Sequence, residues 1–380
     1  MNETDVPLLV VVLMIKNEAS SIQATLSSYV AGGIKHFFIF DTGSTDNTLS
    51  LVHDYFQQYP VVASIEQEPF IDFAQSRNRA LELAENTFSD AVFFIMPDAE
   101  WHLQYPLELL RFCAEERHQA TPLYLLTIKM NSIEFTTARL FRVAERIRFT
   151  GVVHEVPDRL AEYKVPDPVC FQVLSTSQGI VKSKQRWERD LVLLSTVLDN
   201  QADDPRTVFY LAQTYECLER YQEAYDLYQK RSQLPGWDEE NFITFFRLGC
   251  LAERLSNNSE TSEISWDTAM NHFLQAFSLR PERIEPLVKI ANHYWPSNAQ
   301  ACYLFIKHAY DLPYPKQDRL FIEKDMYEYD RYEIMSRCAW YVGEYALGAE
   351  ATQKALLSRP NTPHLCRNLE LYQEKLCAHS

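Results

Sequence analysis

Short apolar runs alternate with amphipathic segments over residues 8–96, and this alternation restricts the fold more than any other feature. The apolar runs have the length of strands and are LLVVVLMI at 8–15, HFFIF at 36–40, VVASIEQ at 61–67 and AVFFIM at 91–96. The segments between them have the apolar spacing of helices and span 19–31, 45–59 and 73–86. The pattern predicts an α/β domain with a doubly wound, mainly parallel sheet that helices cover on both faces.

Beyond about residue 185 the strand pattern gives way to helical spacing. The segment DPRTVFYLAQTYECLERYQEAYDLYQKRSQL at 204–234 predicts two antiparallel helices, with aromatic and small residues at the offsets of a tetratricopeptide-type repeat. Looser copies follow at 241–279, 285–312 and 332–357. Because each helix pair buries its apolar face by stacking on the next, this pattern predicts an all-α solenoid. We therefore expect an α/β domain at residues 1–180 and a helical repeat domain at 181–380.

Charge and composition restrict the partners of the chain. A formal net charge of −16 over 380 residues argues against nucleic acid as the main partner, which favours clusters of Lys and Arg. No apolar run approaches the roughly 18–20 residues that span a bilayer. The eight cysteines are scattered singly, which favours a reducing compartment over a disulfide framework or a zinc site. We expect a cytoplasmic protein without a transmembrane segment.

Polar motifs follow the predicted strands where each strand ends. They are KNEAS at 16–20, DTGSTDNT at 41–48, FIDFAQSRNRAL at 70–81 and PDAEWH at 97–102. Taken singly, each is typical of a capped loop or a solvated helix start. Since ligands of such sheets bind outside the carboxyl ends of the strands, the ordered set indicates a binding site at that edge.

The last motif places two carboxylates, Asp98 and Glu100, on either side of Ala99. In an extended segment, residues two apart fall on the same side, so the two carboxylates can converge. Mg²⁺ and Mn²⁺ prefer oxygen ligands and are often held by one or two carboxylates together with substrate phosphates. The pair therefore predicts a metal site for the diphosphate of a sugar nucleotide. Asp41, at the end of the second strand, is suited to hydrogen bonds with the base or ribose of the nucleotide.

Residues 8–157 resemble a family-2 glycosyltransferase with the GT-A fold in the order and spacing of four segments. These are MIKNEASSIQATLSSY, FIFDTGSTDNT, FIDFAQSRNRAL and FFIMPDAEW. Where that family usually has two aspartates around a variable residue, this chain has Asp98-Ala99-Glu100, which keeps both carboxylates and lengthens one arm. RLFRVAERIRFTGVVHEVP at 139–157 and the helical repeats resemble bacterial members that carry tetratricopeptide repeats.

The resemblance implies a metal-dependent inverting transferase of the hexosyl or N-acetylhexosaminyl type, with a nucleotide-sugar donor for which UDP is favoured. It implies that Glu18, Asp41 and Asp72 contact the nucleoside and that Arg77 lies near the phosphates. Lys16, Asn17 and Gly43, in the same loops, complete the expected nucleotide-binding set. The expected metal ligands are Asp98 and Glu100, with His154 as a third through its neutral imidazole. Glu155 is the first candidate for the general base and Asp158 the second.

The sequence does not decide between several acceptors, and a second class of protein is also compatible with it. A solenoid groove with Tyr, Trp and Arg suits a peptide or protein acceptor, or a protein partner, and a saccharide or lipid-linked acceptor is equally compatible. The alternative is an interaction scaffold whose α/β half has lost catalysis, although Asp41, Asp98 and Glu100 argue against it. A sugar-nucleotide nucleotidyltransferase would need a glycine-rich basic loop after the first strand, and KNEAS is not such a loop.

Overall fold

The computed structural model describes residues 6–131, 133–173, 177–256 and 264–378. The chain forms two compact units, Met1–Leu194 and Ser195–Ser380. The division falls within a long helix, Ser177–Asn200. The boundary expected from the sequence, at residue 180, lies in the first turns of the same helix. No helix in the described ranges combines the length and apolar character that a bilayer crossing requires.

The first unit alternates strands and helices from its start. Its strands are β1 (Leu9–Ile15), β2 (His36–Asp41), β3 (Val62–Gln67), β4 (Phe93–Ile95), β5 (Trp101–Gln104), β6 (Leu123–Met130), β7 (Ile133–Arg142), β8 (Phe149–Thr150), β9 (Val156–Pro157), β10 (Tyr163–Lys164) and β11 (Cys170–Val173). Its helices are α1 (Ile22–Val30), α2 (Thr48–Gln57), α3 (Phe73–Thr87), α4 (Pro106–Glu115) and the long α5 (Ser177–Asn200), with short 3₁₀ turns at Glu116–His118 and Val143–Glu145.

The main sheet has the strand order β3-β2-β1-β4-β7-β6-β11-β5, with β10 beside β6. β3, β2, β1 and β4 are parallel neighbours, which confirms the predicted arrangement of the first four strands. The sheet is mixed beyond β4, because β7 runs antiparallel to both β4 and β6. In the parallel part Ile15 lies opposite Asp41, and Asp41 lies opposite Gln67, so their loops leave the same edge.

Buried side chains pack on both faces of the sheet, as the continuous apolar strands require. One face of β1, with Val11 and Leu13, packs on α1, α2 and α4. The other face, with Val10 and Val12, packs on small residues of α3 such as Ala80 and Ala84. The two layers fix β1 in the middle of the unit, so the loop after it is held at a defined place.

The second unit is helical apart from one short strand among its described residues. Its elements are α6 (Pro205–Cys217), α7 (Tyr221–Ser232), α8 (Asp238–Ser256), α9 (Trp266–Leu279), α10 (Glu285–Tyr294), α11 (Ala299–Tyr310), β12 (Ile322–Glu323), a π-helical turn (Met326–Asp330), α12 (Arg331–Val342), α13 (Tyr345–Ser358) and α14 (Pro363–Cys377). Each predicted repeat coincides with a pair of consecutive helices, from α6–α7 to α12–α13.

Each of these helices packs mainly against the helix before it and the helix after it in the chain. Close approach depends on small residues: a side chain on Gly249 of α8 would collide with Phe273 of α9, and one on Gly348 of α13 with Tyr372 of α14. Asp204 begins α6 by accepting a hydrogen bond from the Thr207 backbone N–H at 2.7 Å. The second unit is therefore the predicted helical solenoid of tetratricopeptide-like pairs.

Candidate active site

The Asp41 carboxylate closes the loop that follows β2. It accepts hydrogen bonds from the backbone N–H of Ser44 at 2.9 and 3.0 Å and from the Gln67 side chain at 3.0 Å. Asp41 is fully buried, so its carboxylate acts on the loop from inside the fold. Gly43 lies within this loop at φ +97°, in the left-handed region that favours glycine. The predicted residues Asp41 and Gly43 therefore fix one loop together.

The loop after β1 is tied to the same place. The Asn17 backbone N–H donates to Ser44 Oγ at 2.9 Å, and its side-chain oxygen accepts from the Thr45 backbone N–H at 2.8 Å. The Glu18 backbone N–H donates to Thr48 Oγ1 at 2.7 Å. Lys16, the residue before them, is exposed. Asn17 and Glu18 thus join Asp41 and Gly43 at one edge, although the two loops are far apart in the chain.

Asp72 begins α3 and accepts a hydrogen bond from the Gln75 backbone N–H at 2.7 Å. It is buried, with the Gln75 side-chain amide on its second oxygen. A helix cap accounts for this carboxylate in the structure. Its expected contact with a nucleoside stays a prediction.

Arg77, in the first turns of α3, joins two carboxylates that arrive from elsewhere in the chain. Its Nη2 donates to Asp98 after β4, and its Nε donates to Glu155 in the loop between β8 and β9. Arg139 of β7 adds a second cation, with its Nη2 at 3.0 Å from Glu155 Oε1. The side chains of Arg77 and Glu155 are 3% and 5% exposed, whereas that of Asp98 is 32% exposed. Only Asp98 of these three faces solvent.

Electrostatics in this cluster keep both carboxylates charged. Burial raises the pKa of Asp98 and Glu155, but Arg77 and Arg139 outweigh it and hold the pKa of both groups below their usual values. Burial lowers the pKa of Arg77, and the two carboxylates more than compensate, so it stays a cation. Burial and the neighbouring Arg77 lower the pKa of Arg139. Asp98 is therefore presented to solvent as a fixed anion.

Glu100 lies beside Asp98 with its side chain 38% exposed and accepts a hydrogen bond from Arg186 of α5 at 3.1 Å. Burial raises the pKa of Glu100, and the negative charges of Asp98 and Glu18 raise it further, against the opposing effect of Arg186. Thr25 of α1 donates from its hydroxyl to the Ala99 carbonyl at 2.6 Å, which ties the acidic segment to the helix that follows β1.

Two partly exposed carboxylates that repel each other suit a divalent cation, which would relieve the repulsion. Asp98 and Glu100 fit a site in which the substrate phosphates supply the other ligands. Within the described ranges, no three His, Cys, Asp or Glu side chains are placed to hold a metal ion together. His154, exposed and at φ 52°, is thus not grouped with the acidic pair, contrary to its expected place as a third ligand.

The roles of Glu155 and Asp158 as general base stay predictions, and the surroundings of the two residues differ. Glu155 pairs with Arg77 and Arg139, and these two cations hold its pKa below its usual value against the opposing effect of burial, so it is a weak proton acceptor. Asp158 is exposed, and its backbone N–H donates to the Arg148 carbonyl at 2.7 Å. Glu155 accepts a hydrogen bond from Arg77 and so holds that side chain in place.

Sequence reasoning missed the contribution of α5, which supplies Arg186 to Glu100 and Arg189 to the start of α3. The Arg189 guanidinium lies 5.0 Å from the ring centroid of Phe70 and 5.4 Å from that of Phe73. Arg139 was visible in the RLFR segment, but its partner was not. The signal available for α5 was the spacing of Arg186, Arg189 and Asp190, which share one helix face.

A groove on the outer side of α3 is a separate feature. Its lining includes Gln75, Glu68, Arg79, Glu85 and Arg148, and none of the predicted site residues. Two of its arginines are already paired, Arg79 with Glu68 at 2.9 Å and Arg148 with Glu85 at 2.7 Å. The candidate site is therefore assigned to the edge with the partly exposed acidic pair, Asp98 and Glu100, and not to this groove.

The parallel strands and the acidic loops that leave one edge of the sheet define an α/β domain with a candidate ligand site at that edge. Residues 10–163 match the family model described as Glycosyl transferase family 2.

Two curated relatives match over 269 residues at 24% identity: the SPbeta prophage-derived glycosyltransferase SunS of Bacillus subtilis (strain 168) and the glycosyltransferase SunS of Bacillus phage SPbeta. The match covers 67% of this chain and 61% of each relative. The matched region thus spans less than two thirds of the length of these relatives.

Solved structures similar to part of the chain include YrrB, described as a TPR protein with an unusual peptide-binding site, and MamA. YrrB is 16% identical with a TM-score of 0.35, over 50% of this chain and 86% of its own. MamA is 13% identical with a TM-score of 0.33, over 54% of this chain and 99% of its own. The architecture of the second unit is therefore described from its own helix pairs.

Proposed function

We propose that this protein is a metal-dependent inverting glycosyltransferase that moves a sugar from a nucleotide-sugar donor, UDP-sugar by preference, to an acceptor. The observation that carries the proposal is the acidic pair at the end of β4. Asp98 and Glu100 are partly exposed, and Arg77 and Arg139 keep Asp98 ionised. The family match over residues 10–163 and the glycosyltransferase names of the two relatives support the same activity.

The loops after β1 and β2 are the proposed site of the nucleoside. Asp41 and Asn17 hold the backbone of Gly43 to Thr45 in a fixed conformation at the edge of the sheet. A fixed loop lowers the entropy lost on binding, which favours a rigid ligand such as a base and ribose. The hydrogen bond from the Thr25 hydroxyl to the Ala99 carbonyl supports a nucleoside site beside the proposed diphosphate site, since Thr25 belongs to the helix that follows the loop after β1. We propose that Lys16 and Asp72 lie at the margin of this nucleoside site.

A Mn²⁺ or Mg²⁺ ion held by Asp98 and Glu100 would neutralise charge on the leaving diphosphate. Arg77 orients the proposed metal ligand Asp98 through a direct hydrogen bond. Glu155 in turn holds Arg77, and Arg139 holds Glu155, so two further ion pairs support the position of Asp98. The transfer is a single displacement at the anomeric carbon, with a hexosyl or N-acetylhexosaminyl group moving to the acceptor.

The helical unit is the proposed binding site for the acceptor or for a protein partner. Its surface exposes large aromatic side chains, among them Trp237 at 44% and Tyr341 at 64%. Stacked helix pairs of this type offer an extended surface on which a peptide or a protein segment can lie. The acceptor proposed for this surface is therefore a peptide or protein segment, with a saccharide or a lipid-linked acceptor as the alternative.

The proposal is tested by incubating the purified chain with UDP-glucose, UDP-galactose, UDP-N-acetylglucosamine and GDP-mannose in the presence of Mn²⁺. We expect slow release of UDP from at least one UDP-sugar with water as the acceptor, and loss of that release on addition of EDTA. If no donor is hydrolysed and UDP with Mn²⁺ does not raise the melting temperature, the scaffold alternative is favoured.

A further inference from the structure

One face of α5 lies against the candidate site. Arg186, Arg189 and Asp190 are three and four residues apart and therefore share that face. Arg186 donates to Glu100 at 3.1 Å, and the Arg189 guanidinium stacks over Phe70 and Phe73 at the start of α3. Asp190 is the third member of this face.

Asp190 is only 5% exposed, and its Oδ1 is buried without a hydrogen-bond partner among the described residues. A buried polar atom without a hydrogen-bond partner destabilises the fold, and it does so more when it is charged. The carboxylates used in structural roles in this unit, Asp41, Asp72 and Glu155, each accept at least two hydrogen bonds. Asp190 is thus a buried acid with one oxygen that can accept a hydrogen bond from a bound acceptor.

We infer that Asp190 is the general base of the proposed transfer, a role that rests on the proposed function. Its carboxylate takes the proton of an acceptor hydroxyl as the acceptor oxygen bonds to the anomeric carbon. The bond from that carbon to the diphosphate oxygen breaks, and its electron pair leaves with UDP. The proton then passes from Asp190 to solvent, so the enzyme returns to its starting state.

The surroundings of Asp190 suit this role better than those of Glu155. Burial raises the pKa of Asp190 to about 6, with Arg189 and Arg186 opposing the rise and Glu155 adding to it. A base is most effective when its pKa lies near the working pH. Glu155 forms ion pairs with two arginines, Arg77 of α3 and Arg139 of β7. The cations near Asp190 are on its own helix and have other partners: Arg186 pairs with Glu100, and Arg189 stacks on Phe70.

The test compares Asp190→Asn with Glu188→Gln, a matched change of an exposed carboxylate on the same helix. The assay is the release of UDP, at saturating Mn²⁺, from the UDP-sugar that the wild-type protein hydrolyses fastest. We expect Asp190→Asn to lower the rate by about 10²–10⁴-fold, the range that general-base catalysis contributes. Glu188→Gln should leave the rate unchanged, and Asp190→Glu should restore part of it.

Two further readouts separate catalysis from structure. The wild-type rate should rise with pH through about 6, because the base must be deprotonated, and this rise should vanish in Asp190→Asn. The affinity of UDP with Mn²⁺ should be the same in both proteins, which also shows that the variant is folded. An unchanged rate and pH profile in Asp190→Asn would overturn the inference and leave the proposed function standing. A wild-type protein that neither binds UDP nor releases it would overturn both.

Discussion

Replacement of Arg77 by alanine is expected to lower the free energy of unfolding at pH 7 by about 3–5 kcal/mol, the cost of breaking a buried ion pair. Arg77 donates to Asp98 and to Glu155, and its side chain is 3% exposed. Without it, Glu155 keeps only Arg139, and Asp98 loses its donor. Urea unfolding followed by circular dichroism measures the difference through the transition midpoint.

Arg79→Ala is the matched control, since Arg79 lies on the same helix with its side chain 41% exposed and pairs with Glu68 and Glu82. Exposed ion pairs contribute about 0–1 kcal/mol, so this variant should unfold close to the wild-type midpoint. Equal losses in the two variants would show that the buried Arg77 cluster stabilises the fold no more than the exposed ion pairs of Arg79 do, which would contradict the prediction.

The effect of Arg77→Ala depends on pH in a defined direction. Asp98 and Glu155 have a lowered pKa in the folded protein, so the unfolded chain binds more protons than the folded one as the pH falls. The stabilisation is complete above their ordinary values of 3.8 and 4.5 and is lost as the pH falls below them. The gap between wild type and Arg77→Ala should therefore close in acid.

Replacement of Asp98 by asparagine is expected to lower the rate of UDP release by about 10²–10³-fold, as the loss of one preorganised electrostatic group does in other enzymes. The change keeps the size of the side chain but removes the charge beside Glu100 and, with it, half of the proposed cation site. The rate is measured with the best UDP-sugar at saturating Mn²⁺.

Glu82→Gln serves as the control for Asp98→Asn, because Glu82 is an exposed acid of α3 that pairs with Arg79. It should retain the wild-type rate. The relief of repulsion from Asp98 should also lower the pKa of Glu100 in Asp98→Asn. A variant that releases UDP at the wild-type rate would remove Asp98 from the proposed mechanism.

The elements that local sequence determines were the predictable part of the fold. β1 to β4 and the helices between them follow from apolar runs and helical spacing, and so do the helix pairs of the second unit. The antiparallel β6 and β7 were missed, because their pairing depends on contacts across the sheet and residues 101–138 carry no comparable pattern. Their presence is what makes the sheet mixed beyond β4.

The sequence predicts that the loops of the site lie at one edge of the sheet, but it does not predict which side chains form ion pairs there. Asn17 and Ser44 meet because β1 and β2 are parallel neighbours, which the strand pattern implies. The pairing of Arg77 with Glu155 joins residues 78 positions apart, and no local pattern encodes it. The sequence alone therefore favoured Glu155 as a base, whereas the structure surrounds it with cations.

The binding of UDP in the presence and absence of Mn²⁺ tests the central claim most directly, because it asks whether Asp98 and Glu100 hold a cation against a diphosphate. Isothermal titration calorimetry of the wild-type protein with UDP, first with Mn²⁺ and then with EDTA, gives both affinities. The account predicts that Mn²⁺ tightens UDP binding by at least about tenfold, or 1.4 kcal/mol, and that Asp98→Asn abolishes this gain. Equal affinity with Mn²⁺ and with EDTA, or a gain that survives in Asp98→Asn, would contradict it.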